Sequence, residues 1–241
     1  MKWYKSADGE QRIWYEQDEI EDIAADELRR AELFPTLEAP IVDLEKFIES
    51  HLHAKLDQYG LLPADVLGST EFEPDEPPRV LINRDLTTSA VDEPRAGAFG
   101  RWRATMAHEG CHILLHRVLF ELNPDQALLF DVPSKSSAGS RLMRCLHRNI
   151  VGRGGGDWRE VQANRGMAAL LMPRALFREI AREELKALGF ESSDLEDDAE
   201  NIRVALRRIA PRCGVSQQAA GIRLETLELI PQAGAVALPL E

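Results

Sequence analysis

Arg101-Trp102-Arg103-Ala104-Thr105-Met106-Ala107-His108-Glu109-Gly110-Cys111-His112-Ile113-Leu114-Leu115-His116 contains the pattern His-Glu-x-x-His within a stretch of helical character. On an α-helix a separation of four residues returns the chain to within about 40° of its starting direction, roughly 6 Å further along the axis. His108 and His112 therefore share a face, and both imidazoles can reach one metal ion at the ~2.0–2.1 Å that zinc prefers. Glu109 is rotated by about 100° from His108. It is poorly placed as a ligand but well placed to take a proton from an attacking water beside the metal, which identifies it as the candidate general base.

Two imidazoles do not complete such a site. His116 continues the four-residue spacing, yet it lies about 12 Å along the axis from His108, too far for both to hold one ion. It is expected to be a core residue or a neighbour of the ligands. The metzincin extension would place Gly at 115 and His at 118, where this chain has Leu115 and Val118, so that class is excluded. The segment Asp157-Trp158-Arg159-Glu160-Val161-Gln162-Ala163-Asn164-Arg165-Gly166-Met167-Ala168-Ala169-Leu170-Leu171-Met172-Pro173 supplies another candidate. Glu160 can complete a His2Glu set that leaves a position open. Equally, Asp157 and Glu160 have the spacing of a capping box, in which Glu160 reaches back to the start of its own helix. Spacing alone leaves both readings standing.

Thr105 to His116, taken together with Glu160-Val161-Gln162-Ala163-Asn164 and Ala168-Ala169-Leu170-Leu171-Met172-Pro173, resembles the ImmA/IrrE family of metallopeptidases. In that family the second segment reads Glu-x-x-Ala-Asn, a spacer, then Leu-Leu-Met-Pro. The resemblance implies that Glu160 is the third zinc ligand, beside His108 and His112. It also implies a zincin-like α+β fold and a regulatory endopeptidase whose partner is a helix-turn-helix transcriptional repressor. It covers about residues 17 to 230 and is specific in the two motif segments. Two departures stand out: Gly110-Cys111 replaces a common Leu-Gly, and Gly166-Met167 replaces a common Phe-Ala. The connection between His112 and Glu160 is also long.

Around the motif the pattern reads as α+β with a small antiparallel sheet and a mostly helical remainder. Residues 17–32 form an amphipathic helix with acidic residues crowding its first turn. A second helix covers 42–48, with Asp43 as its cap. Val66 to Phe72 and Arg79 to Ile82 read as two strands across a Pro- and Asp-rich turn. One edge of that pair is expected to border the cleft and take an extended substrate by strand addition. The metal helix runs from about Gly100 to Phe120. A turn-rich connection over 121–157 is expected to act as a mobile cover, with a short helix from Arg141 to Ile150 capped by Ser140. Helices follow at 157–172, at 175–188 and in a last section, 199–230. The division is a metallopeptidase domain over 1–190 and a C-terminal helix-turn-helix-like segment over 191–241.

The 241 residues carry a net charge of -12, which argues against general nucleic-acid binding, since phosphate contacts need a basic face. Cys111, Cys145 and Cys213 are odd in number and widely spaced, so they build no disulfide framework and suit a reducing, cytoplasmic setting. No segment has the length and apolarity of a membrane span. Gly110 is costly inside a helix and points to close backbone approach or tight packing. Cys111 reads as a small buried hydrophobe. Cys145 and His147, among Arg141, Arg144, Arg148 and Arg153, form a loop cluster for which a reactive thiol is the less favoured reading. Ile209 to Leu224 has a helix, Gly-turn, helix rhythm. The competing function is thus a DNA- or protein-binding regulator with a vestigial metal centre. It requires an exposed basic helix near Gln217 to Arg223.

Overall fold

The computed structural model describes residues 2–5, 11–73, 76–95, 97–121, 141–146, 158–189 and 199–230. The order of elements is β1 (Lys2–Lys5), β2 (Gln11–Trp14), α1 (Gln17–Arg30), α2 (Leu44–Lys46), β3 (Lys55–Gly60), β4 (Val66–Phe72), β5 (Arg79–Asn83), α3 (Arg84–Thr87), α4 (Ala98–Glu121), β6 (Arg141–Leu146), α5 (Trp158–Leu171), α6 (Arg174–Leu188), α7 (Ala199–Cys213) and α8 (Gln217–Thr226). Wide helical turns, Phe47–His51 and Thr88–Asp92, extend α2 and α3. The class is mixed α+β and mostly helical.

Local chemistry accounts for the helix boundaries. The backbone N–H of Glu16 donates to the Glu19 carboxylate at 2.9 Å, closing the start of α1. Asp43 accepts from the Lys46 N–H at 2.9 Å, the capping role that its sequence position predicts. Pro173 is the N-cap of α6, so it ends one helix and starts the next without needing a donor of its own. Ser216 accepts from the Ala219 N–H at 3.1 Å and caps α8.

Four strands form one sheet in the order β3-β5-β4-β6, and β1 and β2 form a separate antiparallel pair. β4 is antiparallel to β5 and to β6, whereas β3 runs parallel to β5, so the sheet is mixed rather than purely antiparallel. Two expectations are corrected here. Residues Arg141 to Leu146 form a strand, not the start of a helix capped by Ser140, because they pair in register along β4 from Val66 to Phe72. For the same reason neither β4 nor β5 is an edge strand: β5 lies between β3 and β4, and β4 lies between β5 and β6. The rest of the 121–157 connection beyond Glu121, including Ser140, His147, Arg148 and the Gly154 to Gly156 run, lies outside the described residues.

α4 packs against the sheet through β4 and β5 and against α5, which in turn packs against α1. Every residue from Trp102 to Ile113 is buried. One apolar cluster spans Leu28 of α1, Val80 and Ile82 of β5, Met106 and Ala107 of α4, Leu170 of α5 and Phe177 of α6, and includes Leu206 and Ile209 of α7 and Leu224 of α8. The C-terminal helices are thus built into the same core as the metal helix. A smaller cluster joins Ile13, Tyr15 and Ile20 to Leu115 and Leu119, seating β2 on the far end of α4.

The two helix glycines have different reasons to be there. A Cβ at Gly166 would lie 2.7 Å from the Cys111 sulfur, so α5 can approach α4 only because this position is bare. A Cβ at Gly110 would meet Ile48 at 3.6 Å, an ordinary contact, so neither close approach nor tight packing demands glycine there. Gly110→Ala should therefore stabilise the fold by about 0.5–1 kcal/mol, by removing the helix penalty of glycine. Gly166→Ala should destabilise it by about 1–3 kcal/mol through overpacking. Urea unfolding of the two variants checks both signs; a neutral Gly166→Ala would disprove the tight approach of the helices.

Candidate metal centre

A helix buried on all sides must pair every polar group it carries, since each unpaired group costs desolvation energy. On α4 those groups are Arg103, Thr105, His108, Glu109, His112 and His116, all buried. Arg103 donates to the Val42 carbonyl at 3.0 Å, and burial brings its guanidinium down to about 10. Thr105 donates to the Arg101 carbonyl one turn back. The remaining four residues build the site.

His108 and His112 project from consecutive turns, and their Nε2 atoms face each other at 3.0 Å. Glu160, from the first turn of α5, places Oε2 3.2 Å from His108 Nε2 and Oε1 3.4 Å from His112 Nε2. These three are the group of metal-capable side chains found among the described residues, their donor atoms all within 4.8 Å of one another. A tetrahedral zinc with bonds of ~2.0–2.1 Å requires its donors to stand about 3.3 Å apart. The observed 3.0–3.4 Å spacings meet that requirement. Two imidazole lone pairs facing a carboxylate also form the mixed N/O set that zinc favours.

The capping-box reading of Glu160 involves Asp157, which lies outside the described residues. The Glu160 carboxylate itself turns to the two imidazoles. Burial works against its charge, but the facing His108 and His112 rings outweigh burial and hold it well below the ordinary carboxylate range. It is thus ionised, as a ligand must be. Burial in turn lowers His112, keeping its ring neutral near pH 7.

The neighbours of these groups fix ring orientation, and the sequence reading assigned none of them that role. Asn164 Oδ1 lies 3.0 Å from His108 Nδ1 and can only accept there, so the proton sits on Nδ1 and Nε2 is free to bind. Asn164 follows Glu160 by four residues, so one face of α5 supplies both a carboxylate to the group and the residue that orients His108. His116 Nδ1 lies 3.2 Å from His112 Nδ1, and burial keeps His116 neutral, so it can accept from His112 as Asn164 does from His108. Gln162, on the same helix as Glu160, donates from Nε2 to the Ile13 carbonyl at 2.9 Å. His116 is thus the neighbour of the ligands that its distance from His108 predicted.

Glu109 stands outside the ligand group. Its carboxylate accepts from the Thr70 hydroxyl of β4 at 2.6 Å. Gly68 lies on the same face of β4, and a Cβ there would come within 2.9 Å of Glu109 Oε1 and 2.7 Å of Thr105. A bare backbone at 68 and a hydroxyl at 70 are what allow β4 to lie on the acidic residue. The i, i+2 spacing of Gly68 and Thr70 on an apolar strand is the signal from which this could have been read.

Cys111 is fully buried against Gly166, and burial pushes its thiol far up, which makes it the inert hydrophobe expected. Cys213 is likewise buried and pushed up to about 11. Cys145 falls on β6, and His147 lies outside the described residues. On α8, Arg223 points inward: 1% exposed, it is paired with both oxygens of Glu21 and donates to the Met172 carbonyl at 2.7 Å. Arg208 and Arg212 of α7 pair with Glu183 and Glu184 of α6.

No protein-family model and no curated protein matches the chain. Among the described residues, no helix is long and apolar enough to cross a membrane.

Two measurements check this geometry. Zinc titration should show one equivalent bound by the wild type and none held by Glu160→Gln, because a three-ligand site cannot spare one. His116→Ala should retain the metal with affinity reduced by about 10–100-fold, the usual effect of removing the partner of a ligating histidine. The second measurement is thermal unfolding against pH in the presence of a chelator. His112 and His116 titrate below the ordinary 6.5, so below that pH the unfolded chain takes up protons that the folded chain refuses. Stability present above pH 6.5 should then fall progressively as the pH drops, and a flat profile between pH 7 and 5 would contradict the neutral, buried rings.

Proposed function

We propose that this chain is a zinc-dependent endopeptidase of the ImmA/IrrE kind, with a zincin-like catalytic fold and a helix-turn-helix transcriptional repressor as its protein substrate. The observation that carries the reading is the convergence of His108, His112 and Glu160 at donor separations of 3.0–3.4 Å. A zinc ion held by these three residues supplies Lewis acidity to a peptide carbonyl and to the attacking water.

The protein's own residues do the rest. Asn164 and His116 hold the two imidazoles in the tautomer that leaves Nε2 unprotonated. Glu109 accepts the proton of the attacking water and returns it to the leaving amine, which makes it the general base and then the acid. The Thr70 hydroxyl donates to the Glu109 carboxylate and limits its rotation.

The two departures from the family pattern are consistent with this reading. Position 111 carries a side chain where the family has glycine, and position 166 has none where the family has phenylalanine. The pair sits in direct contact across the α4–α5 interface, so bulk gained on one helix is lost on the other. The alternative, a DNA- or protein-binding regulator with a vestigial metal centre, needs a basic helix open to its partner. Arg223 is buried instead, and Arg208 and Arg212 are taken up by acidic residues of α6.

Glu109→Gln tests the assignment directly. It should keep one equivalent of zinc and the wild-type fold while cleavage of a fluorogenic casein falls by about 10²–10⁴-fold, because an amide cannot accept the proton. Turnover near that of the wild type would remove Glu109 as the base.

A further inference from the structure

Among the described residues, the strand that touches Glu109 is β4. β4 touches the acidic residue through Gly68 and Thr70, while β5 is separated from the base by β4. The inner edge of β4 is consumed by β5, so only its outer edge can bind an extended chain through main-chain hydrogen bonds. That edge is already filled. β6 runs antiparallel along it, with Met143 opposite Thr70 and Cys145 opposite Gly68, the two β4 positions that lie on Glu109. His108, Glu109 and His112 have no solvent exposure in this arrangement.

We propose that β6 is an internal occupant of the peptide-binding edge of β4, and that an extended polypeptide binds by replacing it. The inference rests on the peptidase reading above, whose regulation it describes. Two features favour an exchangeable strand over a permanent one. Arg141-Leu142-Met143-Arg144-Cys145-Leu146 contains no β-branched or aromatic residue, so its intrinsic preference for a strand is low. It also lies between α4 and α5, the helices that carry the ligands, so it is tethered to the site at both ends. Such a tether gives a weak strand an effective concentration of order millimolar, enough to block chance encounters yet within reach of a specific partner.

The test replaces two adjacent residues of β6 by proline in the full-length, zinc-loaded chain: Met143→Pro with Arg144→Pro. Donors of neighbouring residues in a strand point to opposite sides, so one of the two must face β4, and its loss breaks the ladder. The probe is a fluorescein-labelled peptide of sequence Arg-Leu-Met-Arg-Cys-Leu, read by fluorescence anisotropy, with casein cleavage as the second readout. The double variant should bind the peptide about tenfold or more tightly than the wild type, because the tethered competitor is gone. It should also cleave casein faster, and excess peptide should suppress that gain. Equal binding to both proteins, or binding to neither, would overturn the proposal. So would slower cleavage by the variant, which would make β6 the strand on which substrate docks. Tighter peptide binding with no cleavage by either protein supports the exchange of strands while removing the peptidase reading. If the proline variant fails to fold, Met143→Gly with Arg144→Gly keeps every donor and weakens only strand preference. It should shift both readouts in the same direction, and no shift overturns the proposal.

Discussion

The site depends on how closely α4 and α5 approach. His108 and His112 come from one helix and Glu160 from another, so the donor set exists only if the two axes lie close enough for a single carboxylate to span both imidazoles. That approach is set about 9 Å along α5 from Glu160, where Gly166 lets the helix settle onto the Cys111 sulfur. A side chain at 166 would hold the helices apart where Ala163, Leu170 and Leu171 bury their apolar surface, and would carry Glu160 away from the histidines.

Burial on every side of α4 gives the arrangement its chemistry. In a helix with one wet face, polar residues satisfy themselves with water and take no fixed direction. Here several turn to protein partners, which come from different elements packed around the helix: Thr70 from β4, Asn164 and Glu160 from α5, Val42 from the segment before α2. The result is a preorganised set of side chains that has little freedom left to lose on binding a metal or a substrate. The C-terminal helices support it from outside. Arg223 clamps Glu21 of α1 to the Met172 carbonyl at the end of α5, holding the ligand-bearing helix at its far end.

Much of this was legible in the residues. The His-Glu-x-x-His spacing placed two histidines on one helical face, and the Leu-Leu-Met-Pro context pointed to the second helix as the source of Glu160. Helix boundaries were readable where a capping residue or proline marked them, as at Asp43 and Pro173. β1, β2, β3 and β6 escaped detection, and the last two show why. β3, Lys55-Leu56-Asp57-Gln58-Tyr59-Gly60, is an edge strand whose side chains are mostly wet, so nothing in it had to be hydrophobic. β6 has the composition of a helix former and is a strand because β4 offers it an open ladder, a tertiary cause that no local pattern records. Asn164 and His116 were visible as residues, but their roles follow from contacts between turns and between helices.

X-ray absorption at the zinc edge of the metal-loaded protein tests most directly whether His108, His112 and Glu160 hold one zinc ion together. The spectrum should fit two imidazole nitrogens and oxygen donors at ~2.0–2.1 Å in a four-coordinate shell, with the imidazole signature halved in His112→Ala. Sulfur scattering at about 2.3 Å, or zinc held in substoichiometric and heterogeneous sites, would contradict it.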